Sequence, residues 1–348
     1  MIVKQTAGID VAQKELVVSL GRMYDDFTVE IYAYKTFRNT TKGFSDLILW
    51  VKKLTDPNVG IRYVMEATGV YHESFAYFLD TSGCTVSVVL PNKISNYFRT
   101  LEVKTVTDKT MSETIARFGL ERKLDSWIRP KAIFKKLRQL TRERDQLVQE
   151  RTMVKNQLHA EQAEAEPNLS SLTRLRRRIV LLDKQEKEIK EEIAMLVKQE
   201  ESVDNSAKII CSLPGVGLLT AATVLAETNG FELIRNKRQL ISYAGLDVKE
   251  KQSGTSIKGK PRISKKGNSY LRKAMHLPAL TAIRHDARFK AIFVRLVSKH
   301  GVKMKAAVAV QRKLLEVIYT LYKTNTPYDK EYLQEREPES GQQHKIAV

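Results

Sequence analysis

The sequence predicts an α/β domain built on a mixed sheet, followed by two mainly helical regions. Over about the first 125 of its 348 residues, short apolar segments follow the order βββ-α-β-α-β-α. After Pro130 the chain becomes highly charged and keeps helical periodicity to about residue 205. Residues 206–330 are predicted to be helical, apart from one long basic loop. A chain of this length is sufficient for two or three domains of roughly 100–200 residues each.

The predicted strands of the first region are alternating or short apolar segments separated by polar turns. They cover residues 3–10, 15–20, 27–36, 62–66 and 85–90. Helices are predicted where apolar residues recur every three or four positions, at residues 41–54, 71–79, 93–101 and 108–120. Three meandering strands followed by two strands reached through helices indicate a mixed sheet covered by helices.

The middle region predicts two long helices. The first covers residues 132–163, and a Glu-Pro-Asn-Leu-Ser break at residues 166–170 ends it and caps the second. The second helix carries an apolar seam with Glu186 as its one polar interruption, a pattern typical of coiled coils. An intramolecular helical hairpin and a dimerising coil both fit this pattern. The seam consists of Leu172, Leu175, Ile179, Leu182, Ile189, Ile193 and Leu196.

The charge balance indicates a polyanionic partner. Lys and Arg number 59 against 40 Asp and Glu, a net charge of +19. Such an excess attracts nucleic acid, the commonest polyanion in cells, although a basic but otherwise ordinary protein is the alternative. Cys84 and Cys211 form no CxxC pair, which argues against a disulfide framework or a zinc site. With neither a signal peptide nor an apolar run of about 20 residues, we expect a cytoplasmic protein without a membrane partner.

Three carboxylates have the layout of a metal site. Asp10 ends the first predicted strand, Glu66 ends the fourth, and Asp108 opens a helix. Adjacent strands with aligned ends would place Asp10 and Glu66 side by side, and a helix packed across them could bring Asp108. Such a cluster binds Mg²⁺, and two ions about 3.5–4 Å apart can clamp a phosphodiester. Taken singly, the three residues also fit a strand-end turn, a surface acid and a helix cap.

A glycine-rich turn precedes an apolar helix in the third region. The sequence Leu-Pro-Gly-Val-Gly at residues 213–217 has the form of a helix-hairpin-helix turn. In such a turn Gly215 and Gly217 let backbone N–H groups approach a DNA phosphate at a helix N-terminus. A plain Pro-Gly helix start is the alternative.

A basic segment follows this helix. Between Lys249 and Lys273 there are nine Lys or Arg and one acid, Glu250. Its glycines and serines favour close approach of the backbone to a polyanion, although a solvated basic loop would look similar. The residues predicted to contact nucleic acid here are Lys258, Lys260, Arg262, Lys265, Lys266 and Arg272.

Residues 8–16 (GIDVAQKEL), 65–73 (MEATGVYHE), 107–119 and most of 209–329 resemble the DEDD transposases. This family comprises insertion-sequence transposases and Piv-like invertases with a RuvC-like N-terminal domain. The resemblance implies an RNase H/RuvC-like domain over residues 1–128 and a coiled-coil-like linker or oligomerisation segment over 129–205. It also implies a transposase domain with a catalytic serine loop over residues 206–330. The polar tail, residues 331–348, is predicted to be disordered.

By this resemblance, Asp10, Glu66 and Asp108 are catalytic, metal-binding members of the family's acidic tetrad. The fourth position is occupied by Met111, whose thioether is a poor ligand for Mg²⁺. Either the second metal is weakly held, or water, Ser112 or a repositioned Glu113 substitutes, or this copy is impaired. Ser112 lies on nearly the same helical face as Asp108, whereas Glu113 is rotated away.

The resemblance further implies that Ser253 is the nucleophile, with Ser256 and Ser264 as weaker candidates. It implies a serine–DNA covalent intermediate, Mg²⁺ (or Mn²⁺) as cofactor, and a structured noncoding RNA that guides the choice of DNA sites. Strand exchange requires several active centres, so a homodimer or homotetramer associated with the prokaryotic nucleoid is expected. Two other hypotheses are a RuvC-like nuclease that hydrolyses branched DNA without a covalent intermediate, and an impaired nucleic-acid-binding protein.

Overall fold

The computed structural model describes residues 1–67, 69–232, 234–250, 252–253, 257–259 and 262–329. For Gln252, Ser253, Ile257 and Lys258 it describes the backbone. The chain separates into two compact units, Met1–Arg129 and Pro130–Val348.

The first unit contains the predicted mixed five-stranded sheet. Its order is β3-β2-β1-β4-β5, with β1 antiparallel to β2 and β2 antiparallel to β3. Strand β4 runs parallel to β1, and β5 runs parallel to β4. This confirms the sheet that the order of elements predicted. The strands are β1 Ile2–Val11, β2 Glu15–Tyr24, β3 Val29–Arg38, β4 Ile61–Glu66 and β5 Thr85–Val89.

Four helices cover this sheet: α1 Thr41–Leu54, α2 Glu73–Thr81, α3 Pro91–Phe98 and α4 Asp108–Glu121. The predicted bounds of α1 are confirmed. Helix α3 begins two residues earlier than predicted because Pro91 occupies its first turn, where the missing N–H of proline costs nothing. Helix α2 begins and ends two residues later than predicted.

Apolar cores lie on both faces of the sheet. Ile9 and Met65 belong to the larger core, which contains Phe44 and Leu47 of α1. Val64 belongs to the other core, together with residues of α3 and α4. Because side chains alternate along a strand, Asp10 and Glu66 point to the face opposite Ile9 and Met65, which is the face that α4 covers.

The second unit is helical apart from one basic segment. Its helices are α5 Ala132–Gln162, α6 Leu169–Gln199, α7 Glu201–Cys211, α8 Leu218–Thr228, α9 Lys237–Tyr243, α10 Ser269–Ala274, α11 His276–His285, α12 Ala287–His300 and α13 Lys303–Thr324. One core extends from Phe134 in α5 to Leu321 in α13. Across the described ranges, no helix combines the length and the apolarity needed to cross a bilayer.

Helices α5 and α6 form an antiparallel hairpin within the chain. Ion pairs show the antiparallel arrangement: residues further along α5 pair with residues nearer the start of α6. The pairs are Lys136–Glu192, Arg144–Glu186 and Glu150–Arg178. The predicted seam is buried between Leu182 and Leu196. The intramolecular hairpin is therefore present, and pairing of this arm with a second copy stays a prediction.

Within the segment predicted as one long basic loop, the structure describes two antiparallel pairs of very short strands, which the sequence did not predict. Strand β6 (Val248–Lys249) pairs antiparallel with β9 (Arg262–Ile263), and β7 (Gln252–Ser253) pairs with β8 (Ile257–Lys258). Each strand has two residues, so none of them produces a periodic sequence signal. Residues 244–268, which include the segments that join this ladder to the helices, are called the basic hairpin below.

Candidate active site

The carboxyl ends of two parallel strands bring two of the predicted acids together. Ile9 of β1 lies opposite Met65 of β4 in the register of the parallel pair. The next residues, Asp10 and Glu66, therefore lie side by side at the same edge of the sheet. Both are half-buried, and both point to the face that α4 covers.

Two glycines let the backbone of α4 rest on the sheet and so determine where Asp108 lies. A Cβ added at Gly8 of β1 would lie 2.1 Å from the backbone nitrogen of Ala116. A Cβ added at Gly119 would lie 2.6 Å from Cγ2 of Thr6, further toward the start of β1. The N-terminus of α4 therefore points toward the carboxyl end of β1. Asp108 is the first residue of α4, and Thr107 caps it by accepting the Thr110 N–H.

The three acids influence one another electrostatically. Burial raises the pKa of Asp10, and the charge of Asp108 raises it further, although a hydrogen bond from the Val11 backbone opposes both effects. Burial also raises the pKa of Glu66, and the charge of Asp10 adds to this. Opposite charges nearby would lower these pKa values instead. Burial and the neighbouring carboxylates therefore both disfavour the ionised forms of Asp10 and Glu66.

The cluster is open rather than closed around an ion. Among the described residues, no three Asp, Glu, His or Cys side chains are close enough together to ligate one metal. Asp10, Glu66 and Asp108 nevertheless supply only oxygen donors, the ligands that Mg²⁺ and Mn²⁺ prefer. A divalent cation would also favour the ionised forms of Asp10 and Glu66, whose pKa values are raised by burial and, second, by neighbouring carboxylates. The donor chemistry of these three residues fits Mg²⁺.

The structure narrows the candidates for the missing fourth ligand. Ser112 is fully buried, and its hydroxyl lies 2.7 Å from that of Ser19 in β2 and donates to the Lys109 carbonyl at 2.8 Å. It therefore attaches α4 to the sheet and is not free to bind a metal. Met111 packs on the core between the sheet, α3 and α4. Glu113 is half-buried, with its carboxylate 3.9 Å from Lys109.

Sequence analysis missed one residue beside this cluster, Asn39. Its side-chain nitrogen donates to the Ala12 carbonyl at 2.9 Å and to the Tyr71 carbonyl at 3.2 Å. Ala12 follows Asp10 by two residues, and Tyr71 lies in the segment after Glu66. Asn39 therefore joins the two loops that leave the acid-bearing strands. The only signal in the sequence was an Asn-Thr-Thr start of α1, which indicates a helix cap and not a link between loops.

In the second unit, Ser253 lies near the tip of the basic hairpin. Its backbone pairs with Ile257, on the other side of residues 254–256. Ser256 and Lys260 lie outside the described residues. The hydroxyl of Ser264 donates to the Asp247 carboxylate at 2.5 Å, which assigns that serine to the base of the hairpin.

The predicted cations of this segment differ in their surroundings. Arg262, Lys265 and Lys266 are exposed on the returning strand and the residues after it. Arg272 is half-buried, and its guanidinium donates to the Ala244 carbonyl at 2.8 Å. Arg272 thus supports the base of the basic hairpin, whereas the three exposed cations are available to a ligand.

The two glycines of the predicted helix-hairpin-helix turn also differ. The turn connects α7 to α8, and Gly215 has a φ of +87°. A Cβ at Gly215 would lie 2.7 Å from the Pro278 carbonyl, so this residue packs against α11. Gly217 precedes α8, and no atom lies within 4 Å of a Cβ added there. Of the two, Gly217 is the one with open space around it.

Two family models match the chain. A model of DEDD transposases, described as "Transposase", matches residues 7–165, and the model "Transposase IS116/IS110/IS902 family" matches residues 207–293. The two matches cover both units and define a transposase that recombines DNA. The chain belongs to the IS110 family of DEDD transposases.

Curated relatives agree with this assignment. The chain is 29% identical over 301 residues to the pilin gene-inverting protein of Moraxella bovis. The matched region covers 85% of this chain and 90% of that protein. It is 29% identical over 144 residues to the transposase for insertion sequence element IS1111A of Coxiella burnetii, covering 40% and 37% of the two chains.

Solved structures show a more distant similarity. RuvC of T. thermophilus in complex with a Holliday junction substrate matches with a TM-score of 0.28 and 7% identity. The match covers 35% of this chain and 99% of that chain. A similarity of this size adds nothing to the assignment.

Proposed function

We propose that this transposase cleaves and rejoins DNA at specific sites of an insertion sequence through a covalent serine–DNA intermediate, assisted by Mg²⁺. The observation that carries the proposal is the neighbouring position of Asp10 and Glu66 at parallel strand ends, with Asp108 on the helix seated above them. These three residues would hold the metal. When bound, Mg²⁺ or Mn²⁺ polarises a phosphodiester and offsets the negative charge that develops on it.

Ser253 is the proposed nucleophile. Its Oγ forms a bond to phosphorus while the bond from phosphorus to the 3′-oxygen breaks, so the serine proton ends on the released 3′-hydroxyl. Attack by a 3′-hydroxyl on the phosphoserine re-forms a phosphodiester and returns the serine. Because an unaided hydroxyl is a weak nucleophile near neutral pH, the step requires the acidic centre of the same or another subunit.

The basic hairpin and the turn before α8 are the proposed nucleic-acid contacts. The exposed side chains of Arg262, Lys265 and Lys266 suit phosphates, and the open space at Gly217 permits close approach to the first turn of α8. Lys258 and Lys260 would extend this surface. The net charge of +19 also suits a structured noncoding guide RNA.

The arm of α5 and α6 is the proposed assembly surface. Val180, Leu181 and Met195 of α6 are 68%, 54% and 59% exposed, although they lie on a helix whose other face is packed. Pairing of α6 with a second copy through these exposed apolar side chains would give the dimer or tetramer that strand exchange requires.

A denaturing gel with end-labelled DNA tests the chemistry. We expect a covalent adduct that depends on Mg²⁺ or Mn²⁺ and is lost in Ser253→Ala and in Asp10→Ala. Ser298→Ala, an exposed serine of α12, is the matched control and should keep the adduct. Nicks without an adduct would support the nuclease instead. Binding without any cleavage would support an impaired protein, a reading that Met111 motivates.

A further inference from the structure

The residue just before the basic hairpin and the last residue of the hairpin both contact one buried residue, Glu227. This residue lies in the last turn of α8 and is 2% exposed. Tyr243, the last residue before the hairpin, donates its hydroxyl to the Glu227 carbonyl at 2.9 Å. Asn268, the last residue of the hairpin, donates its side-chain nitrogen to Oε2 of Glu227 at 2.6 Å. Glu227 is therefore a common attachment point for the entering and the leaving strand.

The two ends of the hairpin are also packed directly against each other. The Asn268 N–H donates to the Tyr243 carbonyl at 2.6 Å. A Cβ added at Gly267 would lie 2.4 Å from the same carbonyl oxygen, so this residue must be glycine. The two ends of the segment are therefore held together by close backbone contacts.

An arginine from another helix fixes the Glu227 carboxylate. Arg142 of α5 donates Nε to Oε1 at 2.7 Å and Nη2 to Oε2 at 2.8 Å. Its guanidinium also lies 4.6 Å from the ring centroid of Tyr270 in α10. A two-point pairing of this kind defines the plane of the carboxylate. Oε2 is therefore presented to Asn268 in a single orientation, and α5 is coupled to the base of the hairpin.

We propose that Arg142, Glu227 and Asn268 are positioning residues that hold the basic hairpin, and with it Ser253, in the orientation needed for attack on DNA. The proposal rests on the function proposed for Ser253. It adds that the alignment of the serine depends on a charged network centred on the buried Glu227, at the base of the hairpin.

The substitution Asn268→Ser separates this link from ordinary helix capping. Asn268 also caps α10 by accepting the Leu271 N–H at 2.9 Å, and serine retains that function. Serine is too short to reach Glu227. Asn236→Ser is the matched control, because Asn236 caps α9 by accepting the Gln239 N–H at 2.9 Å, at the end of α9 away from the hairpin. Both variants are made in the full-length protein.

Hydrogen exchange and kinetics are then compared. In Asn268→Ser we expect amide exchange at the hairpin base, including Ser264, to accelerate about tenfold, while the amides of α5 and α8 stay protected. We expect kcat for DNA cleavage to fall about tenfold or more, with KM for DNA within about twofold, because misorientation affects the chemical step. Arg142→Lys, which loses the two-point contact, should change exchange and kcat in the same direction.

Two results would overturn the proposal. The first is amide exchange at the hairpin base that is the same in Asn268→Ser and Asn236→Ser. The second is faster exchange in Asn268→Ser with kcat for DNA cleavage unchanged. Failure of the proposed function has a different signature. Ser253→Ala should abolish the adduct and leave exchange at the hairpin base as in the wild type. If Ser253→Ala still forms the adduct, the role of Ser253 is refuted, whatever the exchange of Asn268→Ser.

Discussion

The backbone nitrogen of Ala116 in α4 lies where a side chain at Gly8 of β1 would have to be, 2.1 Å from its Cβ position. Gly8 is two residues before Asp10, and Ala116 is eight residues after Asp108. This contact therefore determines the height and direction of the helix whose first residue is the third acid of the cluster. A glycine in a strand thus sets the geometry of a carboxylate on another element.

The substitution Gly8→Ala should displace α4. We expect it to lower the free energy of unfolding by about 1–3 kcal/mol, the usual cost of overpacking, and to abolish metal-dependent cleavage. Thermal denaturation and the adduct assay measure the two effects. Gly60→Ala is the control, because a Cβ there meets no atom within 4 Å. An active Gly8→Ala protein of normal stability would contradict the conclusion that Gly8 determines the position of α4.

The metal-free protein should be stabilised by Asp10→Asn near neutral pH. Because the folded state raises the pKa values of Asp10 and Glu66, it binds more protons than the unfolded state between the ordinary and the raised values. The contribution of these groups is therefore present at lower pH and is lost as pH rises through that window. Because Asp10→Asn removes one of the two carboxylates, the variant should lose less free energy of unfolding than the wild type as pH rises through this window.

Thermal denaturation with EDTA and with Mg²⁺, over a range of pH, measures the effect of Asp10→Asn. At pH values above the raised pKa values of Asp10 and Glu66, Mg²⁺ should stabilise the wild type. It should stabilise Asp10→Asn only slightly. Asp46→Asn, on the surface of α1, provides a matched change of charge. An equal response of wild type and Asp10→Asn to Mg²⁺ would show that the ion binds elsewhere.

Asn39→Ala should weaken catalysis more than stability. Loss of the two hydrogen bonds to Ala12 and Tyr71 is expected to cost about 1–2 kcal/mol of folding free energy, because both carbonyls are near solvent. Freeing the two loops beside Asp10 and Glu66 should reduce cleavage by about tenfold. Asn58→Ala, which removes a contact with Asp56 at the surface, is the control. Single-turnover cleavage rates decide whether the loops need this link.

Glu186→Gln should destabilise the arm of α5 and α6. Burial by itself would raise the pKa of Glu186, but hydrogen bonds from Lys190, Arg144 and Arg151 outweigh it and lower the pKa to about 2. Neutralising this carboxylate removes the ionic partner of Arg144 and Lys190, whereas Arg151 keeps its contact with Asp183. We expect a loss of about 1–3 kcal/mol at pH 7, since the cations retain some exposure to solvent.

Urea denaturation of Glu186→Gln at several pH values checks this prediction. Because the folded pKa is depressed, the stabilising contribution is present above the unfolded pKa of about 4.3 and disappears as pH falls toward the folded value. The difference from the wild type should therefore shrink below about pH 4. Glu188→Gln, an exposed neighbour paired with Lys184, should change stability by less than about 0.5 kcal/mol. A pH-independent difference would exclude the ionic explanation.

The sequence by itself determined the type and order of the elements in the first unit, because hydrophobic periodicity is local. Helix α1 has its predicted bounds, and the acids Asp10 and Glu66 lie at strand ends as the pattern of β1 and β4 indicated. The resemblance to the DEDD transposases was also available from short segments, and the family matches confirmed it.

Only the tertiary structure decided which distant residues meet. Ser112 was a candidate ligand on helical spacing alone, but it is 93 residues from Ser19, and their hydrogen bond removes it from the metal site. The two-residue strands of the basic hairpin are strands only because they pair with one another. Glu227 contacts Arg142 of α5, 85 residues away in the sequence, and Asn268 at the end of the hairpin, 41 residues away. Such contacts depend on how the whole chain packs, so no local pattern of residues encodes them.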